Sequence, residues 1–427
     1  MDEARPFADI EVVEFGQFIA VPFCAQVLAE GGARVTKIES LEGDPVRHLA
    51  PLAPGETRHF LSRNRGKRSL PLDLRHPKAA GVIERLLARA DVVLTNFRPG
   101  LAAELGLDGT SLAPRHPRLV VGNVSAFGPR GPDAALAGMD LVVQARSGVL
   151  AAYHGVRDGL PGRSDMPPIA DYMCAMTLAF GIAAALLRRE RTGRGGEVDV
   201  ALLMAALVLQ NNSMVRVERV DGPVHAGLRE RLGALRAAGR PFAEQAAITP
   251  QTRTPGMVNV YYRTYATRDS ALGIACVSPG IQRTLMRTLG MTDAKHDTPR
   301  ATRDEQLRHY QALGAKVEAL LASRTTAEWK TVFDKAGIPA AGVRFPLELL
   351  EDEQVLANGF VRDLAHPALG PVRVLAPPLR LDGAAGFQPG PATAPLGAET
   401  RAILAELGFS EAEAASLLSE GVTRGVT

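Results

Sequence analysis

The 427-residue chain has one tryptophan, three cysteines and 5% aromatic residues. Cys24, Cys174 and Cys276 are odd in number and far apart, with no CxxC pair. That pattern disfavours a disulfide framework or a cysteine-built zinc site. An excess of one charge is also missing. Lys+Arg at 49 against Asp+Glu at 46 leave a formal charge of +3, with no basic block. A general nucleic-acid binder is therefore not expected. The nine histidines form no HxxxH or HxH pair, so a metal centre is not indicated. No GxSxG elbow marks a serine hydrolase. No GxGxxG follows the first strand-like segment, where FGQFIAVP stands instead, so a dinucleotide cofactor is not indicated. The opening MDEARPFADI lacks the basic and apolar regions of a secretory signal. The uncharged run Tyr172–Leu187 is shorter than the ~20 residues that span a bilayer. Asp171 precedes it and Arg188-Arg189-Glu190-Arg191 follow, so it reads as a buried helix. The expected compartment is the cytoplasm, without a membrane partner.

What is present is alternation. Asp9–Phe15 reads as a strand and Pro22–Glu30 as a helix, with a proline near its start and Gly31-Gly32 beyond its end. Ala33–Ile38 is a second strand. Ser69–Leu74 is a third, whose proline suits an edge. Pro77–Arg89 has the spacing of an amphipathic helix. Asp91–Phe97 and Leu119–Val124 are Val-rich strands of the buried type. Strands alternating with helices predict an α/β fold with a parallel sheet covered on both faces. Ligands on such sheets bind beyond the carboxyl ends of the strands, here at Gly16-Gln17, Asn96-Phe97 and Ser125-Ala126-Phe127. Gln210–Gln251 is polar and helix-permissive, like a connecting arm. Val258–Thr267 and Leu272–Val277 then form a β-pair, followed by helical patterns at Ile281–Leu289, Arg303–Ser323 and Thr326–Lys335. Near the end, Thr400–Leu407 and Ser410–Leu418 read as short helices separated by Gly408.

Three segments could carry chemistry. Asp171 opens the most apolar helix of the chain. It reads as a helix N-cap, or as a carboxylate held at a helix N-terminus and available as a nucleophile. The two roles are compatible. Asn64-Arg65-Gly66-Lys67-Arg68 is a basic turn, either a solvated loop or a donor set for a phosphate-rich ligand. Asn96-Phe97-Arg98-Pro99-Gly100 lies between a buried strand and a helix, as a ligand loop or a plain turn does.

At this point the residues resemble a known family, the class III CoA transferases. These include the formyl-CoA and carnitine CoA transferases and are related to the α-methylacyl-CoA racemases. DIEVVEFGQFIAVPFCAQVLAEGGARVTKIESLEGDPVR resembles the family's opening, and FLSRNRGKRSLPLDLR its NRNKRS-type loop. DVVLTNFRPG is similar to its NFRPG segment. DYMCAMTLAFGIAAALLRRERTGRGGEVDVALL resembles the stretch from the catalytic aspartate to a TGRGQ-type turn. RTTAEWKTVFDKAGIPAAGV and DEQVLANGFVRDLAHPALGPVRVLAPPLRL complete the series in order.

The resemblance implies a Rossmann-like large domain, a smaller α/β domain, and two subunits threaded as interlocked rings. Joined to the composition, it gives residues 1–205 as the first part of the large domain and 206–224 as a linker. Residues 225–340 become the small domain, and 341–427 the return to the large one. It further implies that Asp171 is the nucleophile, attacking an acyl-CoA thioester to give an anhydride and then an aspartyl-CoA thioester. Coenzyme A would be a substrate, no cofactor would be permanently bound, and a carboxylic acid would accept the CoA. Arg47, Lys67 and Arg68 become expected phosphate contacts. Ile19, Ala20, Asn96, Phe97 and Arg98 fall along the implied CoA site. Some positions depart from the pattern. Met139 stands where the racemases carry a histidine, which disfavours racemisation by a His–Asp pair. Ile19 replaces the glutamine of formyl-CoA transferase-like members, and Glu104 replaces a common basic residue. Only Pro255-Gly256 stands in for a glycine-rich lid. The alternatives are a 2-methylacyl-CoA racemase and a catalytically inactive CoA-binding partner subunit.

Overall fold

The computed structural model describes residues 5–98, 100–153, 155–162, 167–249, 260–293, 303–381 and 386–426. The chain forms two units, one of residues 1–248 and 353–427, the other of residues 249–352.

The larger unit is built on a parallel sheet. Its strands are β1 (Glu11–Glu14), β2 (Arg34–Glu39), β3 (Lys67–Pro71), β4 (Val92–Thr95), β5 (Val120–Ser125) and β6 (Gly196–Ala201). They lie in the order β3-β2-β1-β4-β5-β6, every pairing parallel. The chain therefore runs outward from β1 to β3, then returns to fill the other side from β4 onward. The strand order reverses between β1 and β4, which opens a crevice at their carboxyl ends.

Successive residues of a strand point to opposite faces, and both faces here are covered. Val12, Val92, Leu94 and Val120 pack under α1 (Ala20–Glu30) and the long helix Ile169–Thr192. Val13, Val93 and Val121 pack on the opposite face under α2 (Ala79–Leu87) and two C-terminal helices, Thr400–Glu406 and Glu411–Ser419. Burial on both faces is why these strands read as continuous Val runs. Between β5 and the long helix lies α3 (Asp140–Ser147), so the long helix is α4. Cys174, Leu178, Ile182 and Leu186 turn one side of α4 into the core, while Phe180 and Leu187 are exposed on the other.

Two elements of this unit differ from the sequence expectation, and a third follows it. β6 carries Glu197 and Asp199 at the sheet edge, where acidic residues protect an open strand and obscure its pattern. Val361–His366 and Gly370–Leu375 pair as an antiparallel hairpin. The polar stretch beyond 210 folds as a continuous helix, Glu218–Ala237, followed by Phe242–Ile248. The smaller unit begins at 249 and ends at 352, against 225 and 340 from composition. A surface helix with polar faces gives composition no boundary to register.

The smaller unit holds a three-stranded antiparallel sheet of Tyr262–Ala266, Ala271–Ala275 and Ala340–Gly342. Tyr265, Leu272, Ile274, Leu285 and Phe333 are among its core. The lone Trp329 is buried there and donates its indole N–H to the Leu321 carbonyl at 2.8 Å. Pro255-Gly256 lies outside the described residues.

Candidate active site

Two loops meet where the strand order reverses, one after β1 and one after β4. The first begins at Gly16. A Cβ there would stand 2.1 Å from Val21 Cγ1, so the turn can close onto α1 only with glycine. Phe18 then takes a left-handed backbone, φ 67°, which an aromatic residue adopts only when its surroundings hold it. The holding groups are identifiable. Asn96 clamps Gln17, accepting from its backbone N–H at 3.1 Å and donating to its carbonyl at 2.8 Å. Lys37 donates to the Gly16 carbonyl at 2.6 Å.

This loop forms one wall of a narrow pocket of ≈ 70 Å³, whose other walls include Asn96, Met139 and Asp171. Ile19 and Ala20 also line it. Asp171 lies in the first turn of α4 and does not cap it. The helix starts at Ile169, and Pro168 at the cap position makes no side-chain bond. The cap comes from another helix. Asp140, at the start of α3, accepts from the backbone N–H groups of Ala170 at 2.8 Å and Asp171 at 3.2 Å. Its second oxygen accepts from the Gln144 side chain. Gly138 brings this turn close to the end of β5, since a Cβ there would meet Ala126 Cβ at 2.5 Å.

The arrangement sets the acidity of Asp171. Burial, then the neighbouring Asp140 carboxylate, push its pKa up to about 7, against a smaller opposing effect of Arg63. Arg63 is itself buried, donating to the Tyr172 hydroxyl at 3.3 Å and to the His59 carbonyl at 3.4 Å. Cys174, on the same helix, is no competing nucleophile. Burial and the charge of Asp171 raise its thiol to about 12.

A second pocket of ≈ 480 Å³ adjoins, with Gln17 lining both. Phe15, Leu72, Leu74 and Phe97 give it an apolar side, Arg75 contributes a cation, and Glu39, Glu42 and Asp73 contribute carboxyl groups, of which Glu39 is paired with Arg47. Phe97 packs on Phe15 with ring centroids 5.8 Å apart. Arg98, at the end of the same loop, is exposed.

The other expected phosphate contacts are spent within the fold. Arg47 is 1% exposed. It grips Glu39 through two bonds of 2.7 and 2.9 Å and lies 3.6 Å over the Phe60 ring. Burial alone would raise the Glu39 carboxyl, but Arg47 holds it at about 2. Lys67 is buried against Glu14 at 2.7 Å and also donates to Asn64 and to the Pro22 carbonyl, each at 2.8 Å. Arg68 points to Glu406 on a C-terminal helix, with two bonds of 2.8 and 2.9 Å. None of the three lines either pocket. Sequence reasoning also misses Asp140, the residue after Met139. Its signal was an aspartate opening a helix-like segment.

With this geometry in place, the comparisons are specific. The model of CoA-transferase family III matches residues 7–400. Cinnamoyl-CoA:phenyllactate CoA-transferase of Clostridium sporogenes is 29% identical over 95% of this chain and 94% of that protein. Succinyl-CoA–D-citramalate CoA-transferase of Chloroflexus aurantiacus is 30% identical over 98% of each. The crystal structure of an aspartate-to-alanine variant of Rv3272 from Mycobacterium tuberculosis superposes with a TM-score of 0.76. It is 27% identical, covering 94% of this chain and 99% of that one. The chain belongs to CoA-transferase family III and is a class III CoA transferase, whose family uses CoA thioesters as substrates.

Proposed function

We propose that this enzyme moves CoA between carboxylic acids through covalent intermediates on Asp171. The observation that carries this reading is the Asp171 carboxylate in a pocket at the sheet's crevice, its pKa raised to about 7. A carboxylate stripped of part of its water is a stronger nucleophile than one in bulk solvent.

In the first step an Asp171 carboxylate oxygen attacks the thioester carbon. The carbon–sulfur bond breaks, leaving a mixed anhydride and CoA thiolate. The thiolate attacks the Asp171 carbonyl carbon, which breaks the anhydride, releases the donor carboxylate and leaves an aspartyl-CoA thioester. An acceptor carboxylate attacks that carbon, forming a second anhydride and freeing thiolate. Attack of the thiolate on the acceptor's acyl carbon yields the new acyl-CoA and restores Asp171. Protons balance throughout, so the cycle needs no base opposite Asp171. Met139 supplies none, which favours this route over α-proton exchange.

Trapping tests the reading. With acyl-CoA and hydroxylamine, the wild type should acquire an aspartyl hydroxamate at Asp171, read by peptide mass spectrometry. Persistent absence of the modification with a broad donor panel would reject the covalent route.

The second pocket suits the nucleotide end of CoA, with the base between Phe97 and the leucines. Arg75 then takes a phosphate, in place of Arg47 and Lys67, which serve buried carboxylates. On this assignment Arg75→Glu should raise KM for acyl-CoA about tenfold, by one lost charge-assisted contact, with kcat little changed. An unchanged KM places the phosphates elsewhere.

A further inference from the structure

The turn after β1 sets Phe18, Ile19 and Ala20 into the wall of the Asp171 pocket. Its weak point is Phe18, because a residue with a Cβ avoids the left-handed backbone found there. Asn96 and Lys37 hold the two residues before it, through the Gln17 backbone and the Gly16 carbonyl. Phe18 itself is met from another segment. Asp44 Oδ1 accepts from the Phe18 backbone N–H at 3.5 Å, the far end of hydrogen-bond range. The same oxygen caps the short helix Pro45–His48, accepting from the Val46 N–H at 3.1 Å. The second oxygen meets the Lys37 ammonium at 2.9 Å. One carboxylate therefore reaches the turn twice, directly at Phe18 and through Lys37 at Gly16. Asp44 is itself fixed. It is 1% exposed, and its own N–H donates at 3.0 Å to Glu39, which Arg47 grips.

A helix cap needs one oxygen, which a serine supplies without the cost of burying a charge. The carboxylate here does more than cap, and it lines neither pocket. We infer that Asp44 is a positioning residue for the reaction, which keeps Phe18 in its left-handed backbone and so holds the Phe18–Ala20 wall beside Asp171. The inference rests on the reading of Asp171 as the nucleophile.

The test follows the rate at which CoA becomes attached to Asp171 of the full chain, by intact mass, over a range of donor concentrations. Acetyl-CoA, butyryl-CoA, succinyl-CoA and phenylacetyl-CoA are screened on the wild type, and the fastest donor is used throughout. Asp44→Ser keeps an oxygen for Val46 and leaves Lys37 paired with Glu14, so the fold should hold. Its saturating rate should fall about tenfold, the factor by which an L-residue disfavours the left-handed region. The half-saturating concentration and the pH midpoint should stay at their wild-type values. A second background isolates the cause. Asn enters the left-handed region more readily than other residues with a side chain, so in Phe18→Asn protein the added Asp44→Ser should cost about threefold or less. An equal loss in both backgrounds, no loss in either, or a loss carried by the half-saturating concentration would overturn the inference and leave the Asp171 reading intact. Asp44→Asn keeps an oxygen for Phe18 and Val46 and should retain about half of the wild-type rate or more. A tenfold loss there would assign the effect to the charge facing Lys37 and overturn the role at Phe18. No labelling of the wild type by any donor would overturn the Asp171 reading and the inference with it.

Discussion

Asp171→Asn should lower kcat/KM for CoA transfer by about 10⁴-fold or more, because a neutral amide leaves no nucleophile to start the exchange. The substitution keeps the shape of the first turn of α4, and the cap from Asp140 binds backbone rather than the side chain. Folding should therefore survive, and circular dichroism with a thermal scan checks it. The same residue sets the pH profile. Only the ionised carboxylate attacks, and its pKa is about 7. In the wild type kcat/KM should rise with pH through about 7 and level off above it. Asp140→Asn removes the like charge but retains an oxygen for the cap. Its midpoint should move down, while burial, the larger cause, keeps it above the ordinary carboxylate range. A midpoint that does not move would show that Asp140 acts on the helix terminus alone. A falling rate above pH 7 would contradict the nucleophilic role itself.

The parts of this protein that sequence alone reveals are those whose pattern is local. The Val runs of β1, β4 and β5 predict central strands because both sheet faces are buried. Asp171 is visible because an apolar helix starts beside it. Charge pairing is not local, and there the reading goes astray. Lys67 and Arg68 in a basic turn look available to a phosphate, but Glu14 and Glu406 claim them from 53 and 338 positions away in the chain. Asp140 is obscure for the same reason, since it caps a helix that begins far beyond its own. The left-handed Phe18 carries no signature either, because no sequence rule predicts strain at an aromatic residue.

The largest stability effect should follow Glu14→Gln. Glu14 ends β1 directly opposite Lys37 on β2, and both are almost wholly buried. One carboxylate oxygen meets Lys37 at 3.0 Å and the other meets Lys67 at 2.7 Å, so a single acid serves two buried ammonium groups. Asp44 adds a second acid to Lys37 at 2.9 Å. Burial opposes the charge on Lys37, but Glu14 and Asp44 outweigh it and hold the pKa above its usual value. Lys67 has a weaker balance. Burial lowers it to about 8 even with Glu14 beside it. Neutralising Glu14 leaves Lys67 without an ionised partner and Lys37 with only Asp44. Breaking a buried pair on one side costs about 3–5 kcal/mol. Urea unfolding, followed through the sheet unit's transition, should shift by that amount. A loss below about 1 kcal/mol, the worth of a solvated pair, would mean that water reaches these groups. Activity should fall as well, because the Lys37 ammonium that binds Glu14 also holds the Gly16 carbonyl. Released from it, the turn that carries Phe18 and Ile19 loses an anchor at the Asp171 pocket. The kinetic signature should be a lower kcat at pH values where Asp171 is fully ionised, with the pH midpoint near its wild-type position. That separates a misplaced loop from a retuned nucleophile.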